Sequence, residues 1–138
     1  MKKISIALAF ALASCAHVGA DVMIPLSVFS VETHRAKDVL IRVVRYNIDK
    51  AELRLESVRP IQHELLDFVD IKSFSVTSGD YLFEKCDELL ISPVKVEKES
   101  VKMEFECFLP RGGVVVAACT VPIQGGKFGK MVCERKEQ

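Results

Sequence analysis

Alternation of apolar and polar residues dominates the chain from about residue 22 onward, and it predicts short β-strands. The best alternating run has the apolar members Val101, Met103, Phe105, Cys107 and Leu109, and its charged neighbours Lys102, Glu104 and Glu106 are predicted to face water. Ala51 to Val58 shows the same one-sided pattern, typical of a strand with one face in a core and the other in water. Val39 to Ile48 is apolar on both faces, which predicts a strand between two layers.

Five further strands are predicted from shorter apolar runs: Val22–Val31, Ile71–Thr77, Val94–Val96, Val114–Val121 and Phe128–Glu134. Pro25 lies near the start of the first run, and a proline cannot donate to a β-ladder, so this strand is predicted at a sheet edge. Glu32 to Asp38 is polar and is predicted to be a solvated connection that contains His34.

Two short helices are predicted in the middle of the chain. The first begins at Pro60, which suits a first helical turn because its missing N–H would be unpaired there. Its apolar stripe consists of Ile61, Leu65 and Phe68. The second begins at capping residues Ser78 to Asp80, and its stripe consists of Leu82, Cys86, Leu89 and Leu90. The predicted fold is therefore mainly β, a single antiparallel β-sandwich-like domain with one or two short helices; the alternative is α+β.

The first 20 residues have the features of a secretory signal: Lys2 and Lys3, an uncharged run from Ile4 to Ala13, and small residues at a cut site. Cleavage after Ala20 would leave a domain of residues 21–138. Leu12 to Cys15 also resembles a bacterial lipobox, in which Cys15 is lipidated and becomes the N-terminus. Both readings predict export, either to the periplasm, to the outer membrane as a lipoprotein, or out of the cell.

Four cysteines remain once Cys15 is set aside, and they are Cys86, Cys107, Cys119 and Cys133. An even number in an exported chain predicts disulfides, and the spacing lacks the Cys-x-x-Cys of a zinc site. A hairpin centred on Arg111–Gly112 would place Cys107 opposite Val116 and point Cys119 to the other face of the sheet. We therefore predict the bridges Cys86–Cys107 and Cys119–Cys133 among three possible pairings.

Charge argues against nucleic acid as a partner. Without residues 1–20 the chain carries 17 basic and 19 acidic side chains, and nucleic-acid binding requires a basic surface. Residues 61–91 are the exception to this balance, with a net charge of −5. Their acidic side chains predict a face that attracts a basic protein, or else simply a solvated surface. The seven residues are Glu64, Asp67, Asp70, Asp80, Glu84, Asp87 and Glu88.

No catalytic, metal or cofactor motif is recognisable in the sequence. His63 and Asp67 would share a helix face, which permits a general base or a two-ligand metal site, although an ordinary surface pair is the simpler interpretation. We therefore expect no enzyme activity, no metal and no cofactor.

Three functions are compatible with these features. The first is a non-enzymatic binding protein of the cell envelope, either an inhibitor or immunity-type protein or an assembly accessory factor. The second is a structural or surface-interaction protein, such as a minor pilus or adhesin subunit that pairs through its edge strand. A secreted effector is compatible too, and a small hydrolase using His63 is least favoured. The expected partner is another protein; a membrane is expected only through a lipid anchor, and the oligomeric state is left open.

Overall fold

The computed structural model describes residues 28–46 and 52–137, which form twelve antiparallel strands and one 3-10 helix. The predicted signal segment, Cys15 and the predicted strand residues 22–27 lie outside the described residues. No helix in the described ranges is long and apolar enough to cross a membrane. The strands are β1 Val28–Ala36, β2 Val39–Tyr46, β3 Leu53–Val58, β4 Leu65–Ile71, β5 Ser73–Val76, β6 Gly79–Leu82, β7 Glu88–Ile91, β8 Lys95–Val96, β9 Ser100–Phe108, β10 Val114–Gln124, β11 Lys127–Phe128 and β12 Val132–Arg135.

Two antiparallel sheets share one core. Sheet 1 has the order β1-β2-β3-β4, and each strand pairs with its neighbour in sequence. Sheet 2 has β9 and β10 at its centre, with β7 and β8 on the outer edge of β9 and with β11 and β12 on the outer edge of β10. The predicted alternation places Ile41, Leu55 and Phe105 in the core, where they are fully buried. The mainly β, sandwich-like fold with two disulfides is as predicted.

A β5–β6 hairpin covers one end of the sandwich, which we call the cap end. Phe74 of β5 stacks on Tyr81 with ring centroids 5.3 Å apart and on Phe105 of sheet 2 at 5.6 Å. Phe83, in the 3-10 helix Phe83–Lys85, packs against Phe105 at 4.9 Å. This aromatic cluster fixes the cap to the central strand β9. The opposite end, where the β1–β2 and β10–β11 turns lie, is called the turn end.

Both predicted disulfides are present, Cys86–Cys107 and Cys119–Cys133. The argument used to predict them contained an error of one residue in register, because Cys107 lies opposite Val115 and not Val116. Cys107 and Cys119 therefore share the core face of the sheet. They are kept apart by distance along the strands, since Cys119 lies opposite Met103 on β9 and opposite Cys133 on β12.

The first predicted helix is wrong, and of the second only the 3-10 helix Phe83–Lys85 forms, which is the one helical element in the described part of the chain. Leu65 to Ile71 forms β4 because Val69 and Ile71 alternate with polar or outward-facing residues and pair with β3. In the second region Gly79 has a φ of 145°, which suits a hairpin turn and not a helix. Cys86 and β7 are then held against β9 by the disulfide and by strand pairing.

The predicted edge strand extends further towards the C-terminus than predicted, to Ala36 instead of Val31. β1 lies at the edge of sheet 1 as expected, but it runs from Val28 to Ala36. Most of the predicted polar connection is therefore strand, and the connection itself is the two-residue turn Lys37–Asp38. Residues 32–35 are all polar, so this part of β1 lacks the alternating apolar residues from which a strand is predicted.

Candidate functional site

The structure divides the seven acidic residues of the predicted face between two places. Three of them lie on or just before β4 and have partners. Asp70 accepts hydrogen bonds from Arg54 at 2.6 and 3.0 Å, Asp67 accepts one from the backbone N–H of Phe128 at 2.9 Å, and Glu64 lies 3.6 Å from Arg59. Asp70 and Asp67 thus link β4 to the neighbouring strands β3 and β11, and Glu64 pairs with Arg59 beside the β3–β4 turn.

The other four acidic residues are exposed on β6, the 3-10 helix and the start of β7, and they are Asp80, Glu84, Asp87 and Glu88. None of the four forms an ion pair within residues 28–46 and 52–137. They are the solvent-facing part of the predicted acidic surface, and their role in binding stays a prediction.

The outer face of sheet 1 carries an ordered polar row. The guanidinium of Arg54 lies 4.8 Å from the centre of the Phe68 ring and forms a two-pronged contact with Asp70. The hydrogen bonds to Asp70 raise the pKa of Arg54 above its ordinary value. This arrangement orders surface side chains and leaves Phe68 half exposed.

His63 and Asp67 do not form the predicted pair. His63 lies in the β3–β4 turn with a positive φ of 53°, and its backbone N–H donates to the carbonyl of Arg59 at 2.9 Å. Asp67 lies on β4, so the shared helix face does not exist. No group of three or more metal-ligating side chains occurs in the described ranges.

β1 has an inverted pattern of polarity. Ala36 is 1% exposed and lies in the core, and side chains alternate along a strand, so Ser30, Glu32 and His34 share its inward face. The outward face instead carries Phe29 and Val31, which are 74% and 49% exposed. A strand at the edge of a two-sheet domain normally has the opposite arrangement.

Arg45 of β2 explains how a polar inward face is tolerated. Its guanidinium reaches across to sheet 2, where it donates to the carbonyls of Ile91 at 3.5 Å and Ser92 at 3.2 Å. Its Nε also lies 3.7 Å from Glu32, whose other carboxylate oxygen lies 3.5 Å from His34 Nε2. The gap between the sheets beside β1 is thus filled by charged and polar groups.

The backbone of β1 is unpaired on its outer side. In a hairpin with a two-residue turn, the flanking residues Ala36 and Val39 exchange both backbone hydrogen bonds, and every second pair beyond them does the same. Val31, Thr33 and Arg35 therefore direct their N–H and C=O groups away from β2. In the described part of the chain β1 pairs with β2 alone, and no backbone bond reaches these groups from elsewhere.

A depression of about 580 Å³ lies at the turn end. Its floor is apolar and includes Val39, Leu66 and Ile123, whereas Lys37, Glu99 and other charged residues line its rim. The hydroxyl of Ser57 is buried without a hydrogen-bond partner close to this floor. This depression was not predictable from the sequence, because its lining comes from separate turns.

Comparison of the chain with protein-family models, with curated proteins and with solved structures finds no significant match.

Proposed function

We propose that this protein is an exported, non-enzymatic binding protein of the cell envelope that holds an extended segment of another protein along β1. The observation that carries the proposal is the outer edge from Val31 to Arg35, whose backbone groups are unpaired beside exposed apolar side chains. Strand addition obtains affinity from such backbone groups and specificity from the side chains on either face. An inhibitor or immunity-type protein and an assembly accessory factor both fit this mode of binding.

Rigidity favours this proposal. β1 is paired without interruption with β2 from Ser30 to Ala36, and the two disulfides constrain sheet 2 and the cap end. A preformed edge loses little conformational entropy when a partner strand docks. The exposed carboxylates at the cap end would add attraction for a basic partner.

Export is part of the same proposal. The two disulfides indicate an oxidising compartment, and residues 1–20 supply the expected signal, with lipidation of Cys15 as the alternative. The intact mass of protein from its native host, with and without reduction and alkylation, tests this step. We expect a chain beginning at Asp21 or at a lipid-modified Cys15, with four thiols appearing only on reduction; an unprocessed chain with free thiols would contradict export.

Site-specific photocross-linking tests the binding edge. A photoreactive amino acid replaces Val31 beside the open edge or, as the matched control, Val132, which is equally apolar and 62% exposed on β12. In the native host we expect an adduct at position 31 that mass spectrometry assigns to one segment of an envelope protein. The adduct should be absent at position 132.

Thr33→Pro supplies the second arm of this experiment. It removes an N–H that points away from β2, and prolines are tolerated at such edge positions. We expect the adduct at position 31 to fall at least about tenfold, equivalent to about 1.4 kcal/mol of binding free energy. Equal yields at positions 31 and 132, or an unchanged adduct in Thr33→Pro, would exclude binding along β1.

A structural surface subunit is the second candidate. The observation that favours it is also the open edge, since a strand with one unpaired side can join copies of the same chain.

A further inference from the structure

We propose that, when no other partner is present, two copies of this protein pair antiparallel through their β1 strands, with a two-fold axis at Thr33. The pairing would join the two copies of sheet 1 into one eight-stranded sheet. This inference rests on the proposed role of β1 as the binding edge and names a second copy of the chain as an occupant of that edge.

The regular part of β1 sets the register. The β1–β2 pairing shifts between Val28 and Ser30, and the strand ends at Ala36 before the turn. The undistorted segment is therefore Ser30–Ala36, and its middle residue is Thr33. The outward backbone groups of Val31, Thr33 and Arg35 are also symmetric about Thr33. An antiparallel copy centred there pairs Thr33 with the partner's Thr33 and Val31 with the partner's Arg35, and uses every unpaired group of the segment.

The inward side chains are complementary in this register. Glu32 of each copy faces the partner's His34 across the new ladder, and the side chains of Glu32 and His34 are 46% and 36% exposed in the single chain. Opposite-charge and hydrogen-bonding cross-strand pairs stabilise a sheet, whereas like charges directly opposite destabilise it. The neighbouring register, with its axis at Glu32, would oppose two carboxylates. The side chains therefore favour the axis at Thr33.

The outward side chains agree with the same register. Arg35 lies opposite the partner's Val31 and diagonal to the partner's Phe29, a distance that a long side chain can span. The pairing would cover Phe29, which is 74% exposed in the single chain, with an aliphatic stem and a guanidinium. The charge along β1 changes from Glu32 towards Arg35 and Lys37. An antiparallel copy brings unlike ends together, and a parallel copy would bring like ends together.

Sedimentation velocity over a concentration series tests the pairing on the processed, disulfide-bonded protein. We expect a reversible monomer–dimer equilibrium for the natural sequence and for Thr33→Ser, which keeps the backbone N–H. Thr33→Pro should weaken dimerisation at least about tenfold, with an unchanged circular dichroism spectrum. A protein that stays monomeric up to its solubility limit would overturn the proposal, as would a dimer that Thr33→Pro leaves intact.

Engineered cysteines test the register. Facing residues in a hydrogen-bonded pair have Cα atoms about 5.5 Å apart, within reach of a disulfide. Thr33→Cys should therefore form a covalent dimer under mild oxidation, with the two native bridges intact by mass mapping. Arg35→Cys is the control, because its two copies would lie about 13 Å apart along the strands. Equal cross-linking of the two variants would overturn the Thr33 axis.

The two proposals fail in different ways. In the photocross-linking experiment, an adduct from Val31 to another protein supports the proposed function even if the purified protein is a monomer. An adduct from Val31 to peptides of this same chain, together with a dimer in sedimentation, supports self-pairing and counts against a separate partner.

Discussion

The two lateral sides of the sandwich are built differently. On one side, which we call the closed side, β4 of sheet 1 meets β11 of sheet 2 through direct hydrogen bonds. Asp67 accepts from the N–H of Phe128 at 2.9 Å, and Lys127 Nζ donates to the carbonyl of Leu66 at 2.8 Å. On the other side, the open side, β1 has no strand beyond it in the described chain, and Arg45 spans the gap to sheet 2 with longer contacts.

This difference shows how one small domain can be stabilised along one side and still keep an unpaired strand edge on the other. Contacts between β4 and β11 cover part of the closed side, whereas the open edge of β1 can accept a further strand, with aggregation as its risk. The charged inward residues of β1 are one means by which natural proteins limit that risk. In this chain the same residues would also select the strand that binds.

Among changes to the closed side, loss of the Cys119–Cys133 bridge should lower the stability of the protein most. Replacing both cysteines by alanine should lower the free energy of unfolding by about 3 kcal/mol, because the bridge closes a loop of about 15 residues in the unfolded chain. Denaturant unfolding measures the loss, and hydrogen exchange locates it, with faster exchange expected in Val132–Arg135. The variant that lacks Cys86–Cys107 should be destabilised by a similar amount with β12 still protected. Unprotected β12 amides in both variants would contradict this assignment.

Asp67 and Arg45 allow a direct comparison of the two sides. Asp67→Ala should cost about 1–3 kcal/mol, because it leaves the Phe128 N–H without an acceptor, whereas Asp67→Asn keeps an acceptor oxygen and should cost less. Arg45→Ala should cost only about 0.5–1.5 kcal/mol, since its contacts with Ile91 and Ser92 are longer. Thermal or denaturant unfolding of the three variants at one pH gives the order. A larger loss of unfolding free energy for Arg45→Ala than for Asp67→Ala would mean that the contacts on the open side contribute more to stability than those on the closed side.

Removal of the ion pair between Lys37 and Glu99 should have the smallest effect on stability. This pair links the β1–β2 turn to the β8–β9 turn. The hydrogen bond from Lys37 lowers the pKa of Glu99 below its ordinary value of 4.5. A lowered folded-state pKa contributes stability above the unfolded-state pKa, and that contribution is lost as the pH falls through the folded-state value. Glu99→Gln should therefore be slightly less stable at pH 7 and equal to the natural sequence in acid. Salt should diminish the difference, because both side chains are exposed; a difference that grew in acid would contradict the prediction.

Strands with a clean alternation were predictable from sequence, as β3 and β9 show, because their burial pattern follows consecutive residues. β2 and β10 were predictable from nearly continuous apolar runs. β4 was mistaken for a helix because Ile61, Leu65 and Phe68 match helical spacing. Ile61 instead lies in the β3–β4 turn, and Leu65 and Phe68 pair with residues of β3. The polarity of β1 depends on Arg45 and on the carbonyls of Ile91 and Ser92, which are distant in sequence. Because these contacts join residues that are distant in sequence, the local sequence of β1 does not show that its polar side chains face inward.

Both disulfides lie within sheet 2 and its adjoining cap, and β1 to β4 contain no cysteine. In denaturant, the oxidised chain is thus cross-linked within residues 86–133, whereas no disulfide constrains the strands β1 to β4. On refolding, sheet 1 can form as a meander of neighbouring strands. No disulfide between the described cysteines links it to sheet 2, so its docking onto that sheet is not assisted by a cross-link. Molecules in which this docking is delayed would present the inner faces of β1 to β4 to one another. Docking of sheet 1 onto sheet 2 is therefore the step of refolding at which aggregation is most easily started.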